Sequence, residues 1–123
     1  MLMDTYAWVE LFQGTRKGKK VEKLLLKESC CTSVLSLAEI TEWALKNGKQ
    51  PHDYLKRMVY TSTLIDITEN ISRLAGKINF ENKRKIKNWG MVDSILLATA
   101  RIYGLKILTG DKHFGELEET IIL

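Results

Sequence analysis

Apolar positions along the chain form short continuous runs separated by longer stretches with helical spacing. Residues 1–3 form a short apolar run, which predicts a first strand that ends at Asp4. Directly afterwards, Trp8, Leu11 and Phe12 recur three and four residues apart, as on one face of a helix. The chain therefore begins with a brief strand that leads into a helix.

The same alternation continues to the end of the chain. Further strands are predicted at residues 30–34, 63–67, 106–109 and 120–123. Helices are predicted at residues 19–27 after a basic loop at 14–18, from Ser36 to Asn47 and Gly48, from Pro51, from Thr68 to about Phe80, and at 92–103 before Gly104. This order predicts an α/β protein, a three-layer α/β/α sandwich with a central mostly parallel sheet, whose ligands bind beyond the carboxyl ends of the strands.

Length and composition limit the class of protein. A chain of 123 residues predicts a single domain, residues 1–123, that is large enough to bury a core. An apolar content of 45% and a charged content of 28% are typical of an ordinary globular protein. The net charge of +4 and a pI of about 9.1 favour polyanionic partners such as RNA or DNA.

The two cysteines indicate the compartment. Cys30 and Cys31 are adjacent, so a disulfide between them would be strained and would close no useful loop. Both are expected to be buried free thiols in a reducing environment. The chain has no run of 18 apolar residues, and Asp4 lies where a signal peptide would carry basic residues and then an apolar core. These features predict a cytoplasmic protein.

Four acidic residues carry the candidate chemistry. Asp4, Glu39, Asp93 and Asp111 each lie where a predicted strand ends or on the helix that follows it. In a parallel sheet these positions meet at one edge, where like charges raise one another's pKa until a proton or a cation neutralises them. Mg²⁺ or Mn²⁺ would provide that neutralisation, since hard dications prefer oxygen ligands. The pattern predicts a metal-dependent enzyme that acts on phosphate esters.

Each acid taken alone also has an ordinary structural role. Asp4 precedes a helix as an N-cap would, and Ser36 with Glu39 matches a capping box. Asp93 lies in the first turn of its predicted helix, and Asp111 lies in a turn. The metal-site hypothesis therefore depends on all four acids occurring at equivalent positions.

Hydroxyl side chains accompany the acids. Thr5 and Thr109 are candidates for orienting water around a metal, although Thr5 has the local backbone as an alternative partner. Ser33 is expected to bond only to the local backbone.

The motifs around these acids resemble a known family. They are Met3-Asp4-Thr5-Tyr6-Ala7-Trp8, Ser33-Val34-Leu35-Ser36-Leu37-Ala38-Glu39-Ile40, Val92-Asp93-Ser94-Ile95-Leu96-Leu97-Ala98-Thr99-Ala100 and Leu108-Thr109-Gly110-Asp111-Lys112-His113-Phe114. In order and spacing they resemble the PIN-domain ribonucleases, most closely the VapC-type toxins of prokaryotic toxin–antitoxin pairs. The resemblance extends from Met3 to the last predicted strand.

The resemblance implies a PIN-like α/β/α sandwich with Mg²⁺- or Mn²⁺-dependent endoribonuclease activity, a cognate antitoxin and a homodimer. The catalytic and metal-binding residues that it implies are Asp4, Glu39, Asp93 and Asp111, with Thr5 and Thr109 as the neighbouring hydroxyls. In the closing motif, Phe114 is assigned to packing and His113 is given no catalytic role.

Basic clusters are candidate RNA contacts. Lys83, Arg84, Lys85 and Lys87 form the cluster closer to an acidic residue, and Arg16, Lys17, Lys19 and Lys20 form another, for which a solvated loop is an equal alternative. Trp89 could stack on a base, but a core position is the preferred interpretation. Trp8, Phe12 and Trp43 are predicted to be exposed and to serve a dimer or antitoxin interface.

Two other functions compete with the nuclease. The first is a catalytically silent RNA- or protein-binding module of the same fold, which would have no need for four mutually repelling acids. The second is an aspartyl-phosphate phosphatase, whose first strand should end in two acids separated by one residue. Tyr6 occupies the second of those positions and argues against it.

Overall fold

The computed structural model of the chain describes residues 1–115 and 117–123, and within them five strands form one parallel sheet with six α-helices. The strands are β1 (Leu2–Met3), β2 (Cys31–Ser33), β3 (Thr63–Ile65), β4 (Ile107–Thr109) and β5 (Thr120–Ile122). Their order across the sheet is β3-β2-β1-β4-β5, and every neighbouring pair is parallel. The predicted α/β fold is confirmed, and the sheet is parallel throughout these strands.

The helices alternate with the strands. They are α1 (Thr5–Gln13), α2 (Arg16–Leu25), α3 (Val34–Lys46), α4 (His52–Thr61), α5 (Glu69–Asn82) and α6 (Met91–Tyr103), and a short 3₁₀ turn covers Lys112–Phe114. Gly104 ends α6 with φ of 64°, the left-handed conformation predicted for it. Thr68 caps α5 as predicted, by accepting a hydrogen bond from the Ile71 amide.

The two faces of the sheet bury separate clusters of apolar side chains. Adjacent strand residues point to opposite faces, so Leu2 and Ile107 pack with α5 and α6, whereas Met3 and Leu108 pack with α1, α2 and α4. Because helices cover both faces of the sheet, the central strands are buried. Ligands can therefore reach these strands only at their ends.

Two predicted helix starts were wrong. Helix α2 begins at Arg16, so most of the predicted basic loop at residues 14–18 is helical. Gly18 is not a helix breaker but a contact point between helices, because a Cβ at this position would lie 2.0 Å from the Glu10 carbonyl oxygen. Helix α3 begins at Val34 with Ser33 as its N-cap, and Ser33 accepts from the Leu35 amide as predicted.

The predicted exposure of Trp8 was also wrong. Trp8 is fully buried, and its indole Nε1 donates to Thr32 Oγ1 at 3.2 Å. Phe12 and Trp43 are half-buried in an aromatic cluster in which both pack against Tyr54. The N-terminal aromatic residues therefore serve the core first.

Other sequence expectations can be compared with the structure directly. Cys30 and Cys31 are both free thiols, but only Cys30 is buried as predicted, because Cys31 is partly exposed. Trp89 is 3% exposed and packs against Phe114, with ring centroids 5.2 Å apart, so the core assignments of both residues are confirmed. None of the helices in the described part of the chain combines the length and hydropathy needed to cross a membrane.

Candidate active site

The four acidic residues come from four places in the chain and line one cleft of about 450 Å³ at the carboxyl edge of the sheet. Asp4 follows β1, Glu39 lies in the second turn of α3, Asp93 lies in the first turn of α6, and Asp111 follows β4. Since β1 lies between β2 and β4, the parallel topology brings these chain segments together. The expected convergence is present, while the catalytic roles of the four residues stay a prediction.

Asp4 is the most constrained of these carboxylates. Its Oδ1 accepts from the Thr5 amide at 2.7 Å, the N-cap bond expected from sequence, and its Oδ2 accepts from Thr109 Oγ1 at 2.7 Å. Burial raises the pKa of the Asp4 carboxyl from 3.8 to about 6, against the lowering effect of these two bonds. The charges of Glu39 and Asp111 raise this pKa further, as expected for clustered carboxylates.

Glu39 is held by a hydroxyl from another helix. Thr5 Oγ1 lies 2.6 Å from Glu39 Oε1 and donates to it, and the same oxygen lies 3.0 Å from Ser36 Oγ. The capping box predicted for Ser36 and Glu39 is therefore wrong, because α3 has already begun at Val34. Glu39 is free to face the cleft, where its partner is a side chain of α1.

Asp93 combines a helix-capping bond with a position in the cleft. Its Oδ2 accepts from the Gly90 amide at 3.0 Å, which fixes the carboxylate at the start of α6. Burial raises the pKa of the Asp93 carboxyl, and the Gly90 bond and neighbouring His113 lower it only in part. Asp93 therefore caps α6, the structural role expected from sequence, and also lines the cleft.

Asp111 lines the remaining side of the cleft, and His113 lies next to it. Thr109 Oγ1 accepts from the Asp111 amide at 2.9 Å, and Asp111 Oδ1 accepts from the His113 amide at 2.9 Å. The ring nitrogen His113 Nδ1 lies 3.3 Å from Asp111 Oδ1 and 3.9 Å from Asp93 Oδ2. This nitrogen is buried but makes no hydrogen bond to any residue that the structure describes. Asp93 Oδ2 is too distant for one, and the contact with Asp111 Oδ1 does not have hydrogen-bond geometry.

These residues fit a divalent cation. Asp93, Asp111 and His113 each offer a ligand atom, and the three atoms lie within 4.8 Å of one another. Ligands on opposite sides of Mg²⁺ are about 4.2 Å apart, so small rotations of the side chains would suffice. A cation would also satisfy the lone pair of His113 Nδ1 and reduce the repulsion that raises the pKa of Asp4. Carboxylate oxygens favour Mg²⁺ or Mn²⁺ over softer metals.

His113 is the residue beside the cleft that sequence reasoning missed. Its spacing of two residues from Asp111 was visible, but its direction depends on the 3₁₀ turn that only the structure shows. The predicted RNA-contacting residues lie elsewhere: Lys83, Arg84, Lys85 and Lys87 are exposed on the segment between α5 and α6 and do not line the cleft.

The parallel sheet, covered on both faces, and the acidic cleft at its carboxyl edge define a class of compact α/β proteins with clustered carboxylates. A family model for the PIN domain matches residues 1–119. The chain therefore belongs to the PIN domain family, and the predicted resemblance is confirmed. A search of the curated proteins found no match.

Solved structures share this fold at low sequence identity. A toxin–antitoxin complex from Klebsiella pneumoniae contains a chain that is 23% identical, with a TM-score of 0.78 and coverage of 98% of this chain and 94% of that one. VapBC2 from Rickettsia felis, bound to a DNA fragment from its promoter, is 17% identical, with a TM-score of 0.77 and coverage of 99% and 96%. Mycobacterium tuberculosis VapC20, described as a sarcin-ricin loop cleaving toxin, is 17% identical, with a TM-score of 0.70 and coverage of 95% and 94%.

Proposed function

We propose that this protein is a Mg²⁺- or Mn²⁺-dependent endoribonuclease that hydrolyses RNA phosphodiester bonds. The observation that carries the proposal is the convergence of four carboxylates, from segments as distant as Asp4 and Asp111, on one open cleft. Keeping Asp4 in a buried position raises its pKa to about 6, a cost that a binding module without a cation would not need. Membership of the PIN domain family supports the same reaction class.

In this proposal the acids hold the cation and the hydroxyls hold the acids. Asp4, Glu39, Asp93 and Asp111 would share the ligand positions, and His113 would stand beside the last two. Thr109 fixes Asp4, and Thr5 fixes Glu39, so neither carboxylate has to be ordered when substrate arrives. A bound dication supplies Lewis-acid stabilisation of charge on the phosphate and lowers the pKa of water.

The biological context that we propose is that of the toxin in a VapBC-type toxin–antitoxin pair. Support comes from the similar structures, which are components of toxin–antitoxin complexes, including one bound to promoter DNA. The partners would be an RNA substrate, a cognate antitoxin and a second copy of the chain. Light scattering of the purified protein tests the homodimer, and a monomeric mass would contradict it.

The decisive experiment replaces two acids that line the cleft. Asp4→Asn and Asp93→Asn should each abolish metal-dependent cleavage of RNA, because each change removes a negative oxygen while keeping the size of the side chain. Cleavage is followed on gels with and without Mg²⁺ or Mn²⁺, and circular dichroism verifies the fold.

Asp66→Asn is the matched control. Asp66 also follows a strand, β3, but it is exposed and does not line the cleft, so this variant should cleave RNA at the wild-type rate. If both cleft variants kept wild-type cleavage, the nuclease assignment would be wrong. Metal binding by the wild type without any cleavage would favour the alternative of a catalytically silent RNA- or protein-binding module.

A further inference from the structure

Tyr6 lies flat against the backbone beside the acidic residues. A Cβ built on Gly110 would be 2.3 Å from Tyr6 Cε1, 2.7 Å from Cζ and 3.0 Å from Cδ1. Contact with Cε1 and both of its bonded neighbours at these distances places the built Cβ above the plane of the ring, at its Cε1 edge. Gly110 therefore allows one face of the tyrosine to cover the chain between Thr109 and Asp111. Tyr6 also lines the acidic cleft.

An ammonium group is fixed at the hydroxyl end of this ring. Lys17 Nζ donates to Tyr6 Oη at 3.0 Å and lies 5.3 Å from the ring centroid. A nitrogen this close to the oxygen and this far from the centroid lies beyond the hydroxyl, so the Lys17 ammonium does not cover the ring. Tyr6 is itself partly exposed. The bond to Tyr6 raises the pKa of Lys17, which keeps the ammonium charged.

The position of Lys17 is set by the packing of two helices. The neighbouring Gly18 lets α2 touch the Glu10 carbonyl of α1, and Thr15 caps α2 by accepting from the Gly18 amide at 3.0 Å. The lysine is thus carried by a helix end that is anchored to the helix bearing Tyr6. In the same cleft, the ammonium of Lys46 is instead paired with Glu42 at 3.1 Å.

An aromatic face next to a fixed ammonium is chemically suited to a nucleotide. Bases stack on aromatic side chains, and backbone phosphates attract lysine, whereas the carboxylates of the cleft repel phosphate unless a cation is bound. Tyr6 and Lys17 are therefore attractive groups for RNA beside otherwise repulsive ones. Lys17 belongs to the basic cluster of residues 16–20 predicted from sequence, whereas Tyr6 belongs to none of the predicted sets.

Building on the nuclease function proposed above, we propose that Tyr6 and Lys17 form a nucleotide-binding subsite at the edge of the acidic cleft. The face of the Tyr6 ring opposite Gly110 stacks on the base of a nucleotide adjacent to the scissile phosphate. Lys17 contacts a phosphate of that nucleotide. Stacking requires a base that is not enclosed between neighbours in a duplex, so the subsite selects unpaired RNA.

The test measures binding separately from cleavage. Fluorescence anisotropy with a labelled unpaired RNA oligonucleotide in EDTA gives affinities and their salt dependence. Tyr6→Leu, which keeps an apolar side chain over Gly110 but has no aromatic face, should weaken binding about 5- to 100-fold. Tyr6→Phe keeps the ring and loses only the oxygen that accepts from Lys17, so it should bind RNA about fivefold or more tightly than Tyr6→Leu. The same changes should leave the affinity for a duplex RNA unaltered.

Lys17→Met should reduce the slope of log affinity against log salt by about 0.7, the value for one phosphate contact on a single strand. Lys23→Met is the control, because Lys23 is an exposed lysine of the same helix that lies on a different face. It should leave the slope unchanged.

Wild-type affinity and salt slope in both Tyr6→Leu and Lys17→Met would overturn the subsite, whatever the cleavage assays show. Binding that depends on Tyr6 and Lys17 in a protein that cleaves no RNA with any divalent ion would confirm the subsite and contradict the nuclease. In the active enzyme, Tyr6→Leu should raise KM about tenfold or more with kcat changed less than about threefold, since its contact is made equally in the ground and transition states.

Discussion

The two sides of the acidic cleft hold their carboxylates in different ways. On one side, Asp4 and Glu39 accept hydrogen bonds from threonine hydroxyls that belong to other segments of the chain. On the other side, Asp93 and Asp111 accept from backbone amides two or three residues away. We call these the hydroxyl side and the amide side. The first is built by tertiary packing, and the second by local turns.

This difference explains what each side can be expected to tolerate. A backbone amide is available whenever the turn forms, so the amide side depends on the starts of α6 and of the 3₁₀ turn. A threonine hydroxyl reaches its carboxylate only when two elements are packed correctly. Changes on the hydroxyl side should therefore have the strongest effect through the pKa of Asp4.

The largest effect is expected from removing the charge of Asp4. The folded-state pKa of about 6 lies above the ordinary 3.8, so the folded protein holds this proton more tightly than the unfolded chain does. The protonated Asp4 carboxyl therefore makes its full contribution to the free energy of unfolding below about pH 4. This contribution decreases as the pH rises to about 6 and is lost at higher pH. At pH 8 without divalent ions, Asp4→Asn should raise the free energy of unfolding by up to about 3 kcal/mol.

Urea unfolding at pH 8 and pH 4 measures this effect, and at pH 4 the gain should be below about 1 kcal/mol. Asp93→Asn is the comparison from the amide side and should give a smaller gain, since the Gly90 bond and the neighbouring His113 offset part of the rise that burial causes in the pKa of Asp93. An equal gain from Asp4→Asn at both pH values would show that its burial does not control its titration.

A somewhat smaller effect is expected from Thr109→Val, which removes a hydroxyl while keeping the shape of the side chain. Thr109 donates to Asp4 and accepts from the Asp111 amide, so its loss leaves both groups without these bonds. A hydrogen bond to a charged group contributes roughly 1.5 to 3 kcal/mol, which corresponds to a fall in kcat/KM of about 10- to 100-fold. RNA cleavage at saturating Mg²⁺ measures this change.

Thr41→Val is the control for Thr109→Val. The Thr41 hydroxyl donates to the Leu37 carbonyl within α3 and touches no cleft carboxylate, so cleavage should stay at the wild-type rate. Comparable losses in the two variants would mean that the hydroxyl side has no special role.

The smallest of the three effects is expected on the amide side, from His113→Gln. Its ring nitrogen lies 3.3 Å from Asp111 Oδ1, and groups that support metal ligands typically contribute about 10- to 100-fold to metal affinity. We expect a loss of about tenfold in Mn²⁺ affinity by calorimetry, the lower end of that range. His52→Gln, at an exposed position of α4, is the control and should leave the Mn²⁺ affinity unchanged. An unchanged affinity in His113→Gln would limit the cation to the carboxylates.

The amide side was easier to predict from sequence than the hydroxyl side. The stop at Gly104, the start of α6 and the position of Asp93 follow from local patterns. The partner of Glu39 does not follow from local patterns. Ser33 and Ser36 are both able to cap a helix, and the pairing of β2 with β3 ends at Ser33, so Ser33 is the residue that caps α3.

Other errors share this tertiary origin. Gly18 resembles a helix breaker in sequence, but its missing side chain serves the contact of α2 with Glu10. Trp8 was expected at the surface because its buried partner, Thr32, lies 24 residues away. In each case the contact joins two different elements of the fold, so the local sequence pattern could not predict it.

The bond between Thr109 and Asp4 spans 105 positions of the chain. Because domains begin to fold while they are being synthesised, a growing chain that has not yet released β4 from the ribosome has Asp4 without its hydroxyl partner and lacks Asp111 altogether. The cleft is thus completed only after β4 and Asp111 have left the ribosome. A ribosome that stalls on this message, or a product truncated before β4, therefore yields a polypeptide that carries no assembled acidic centre.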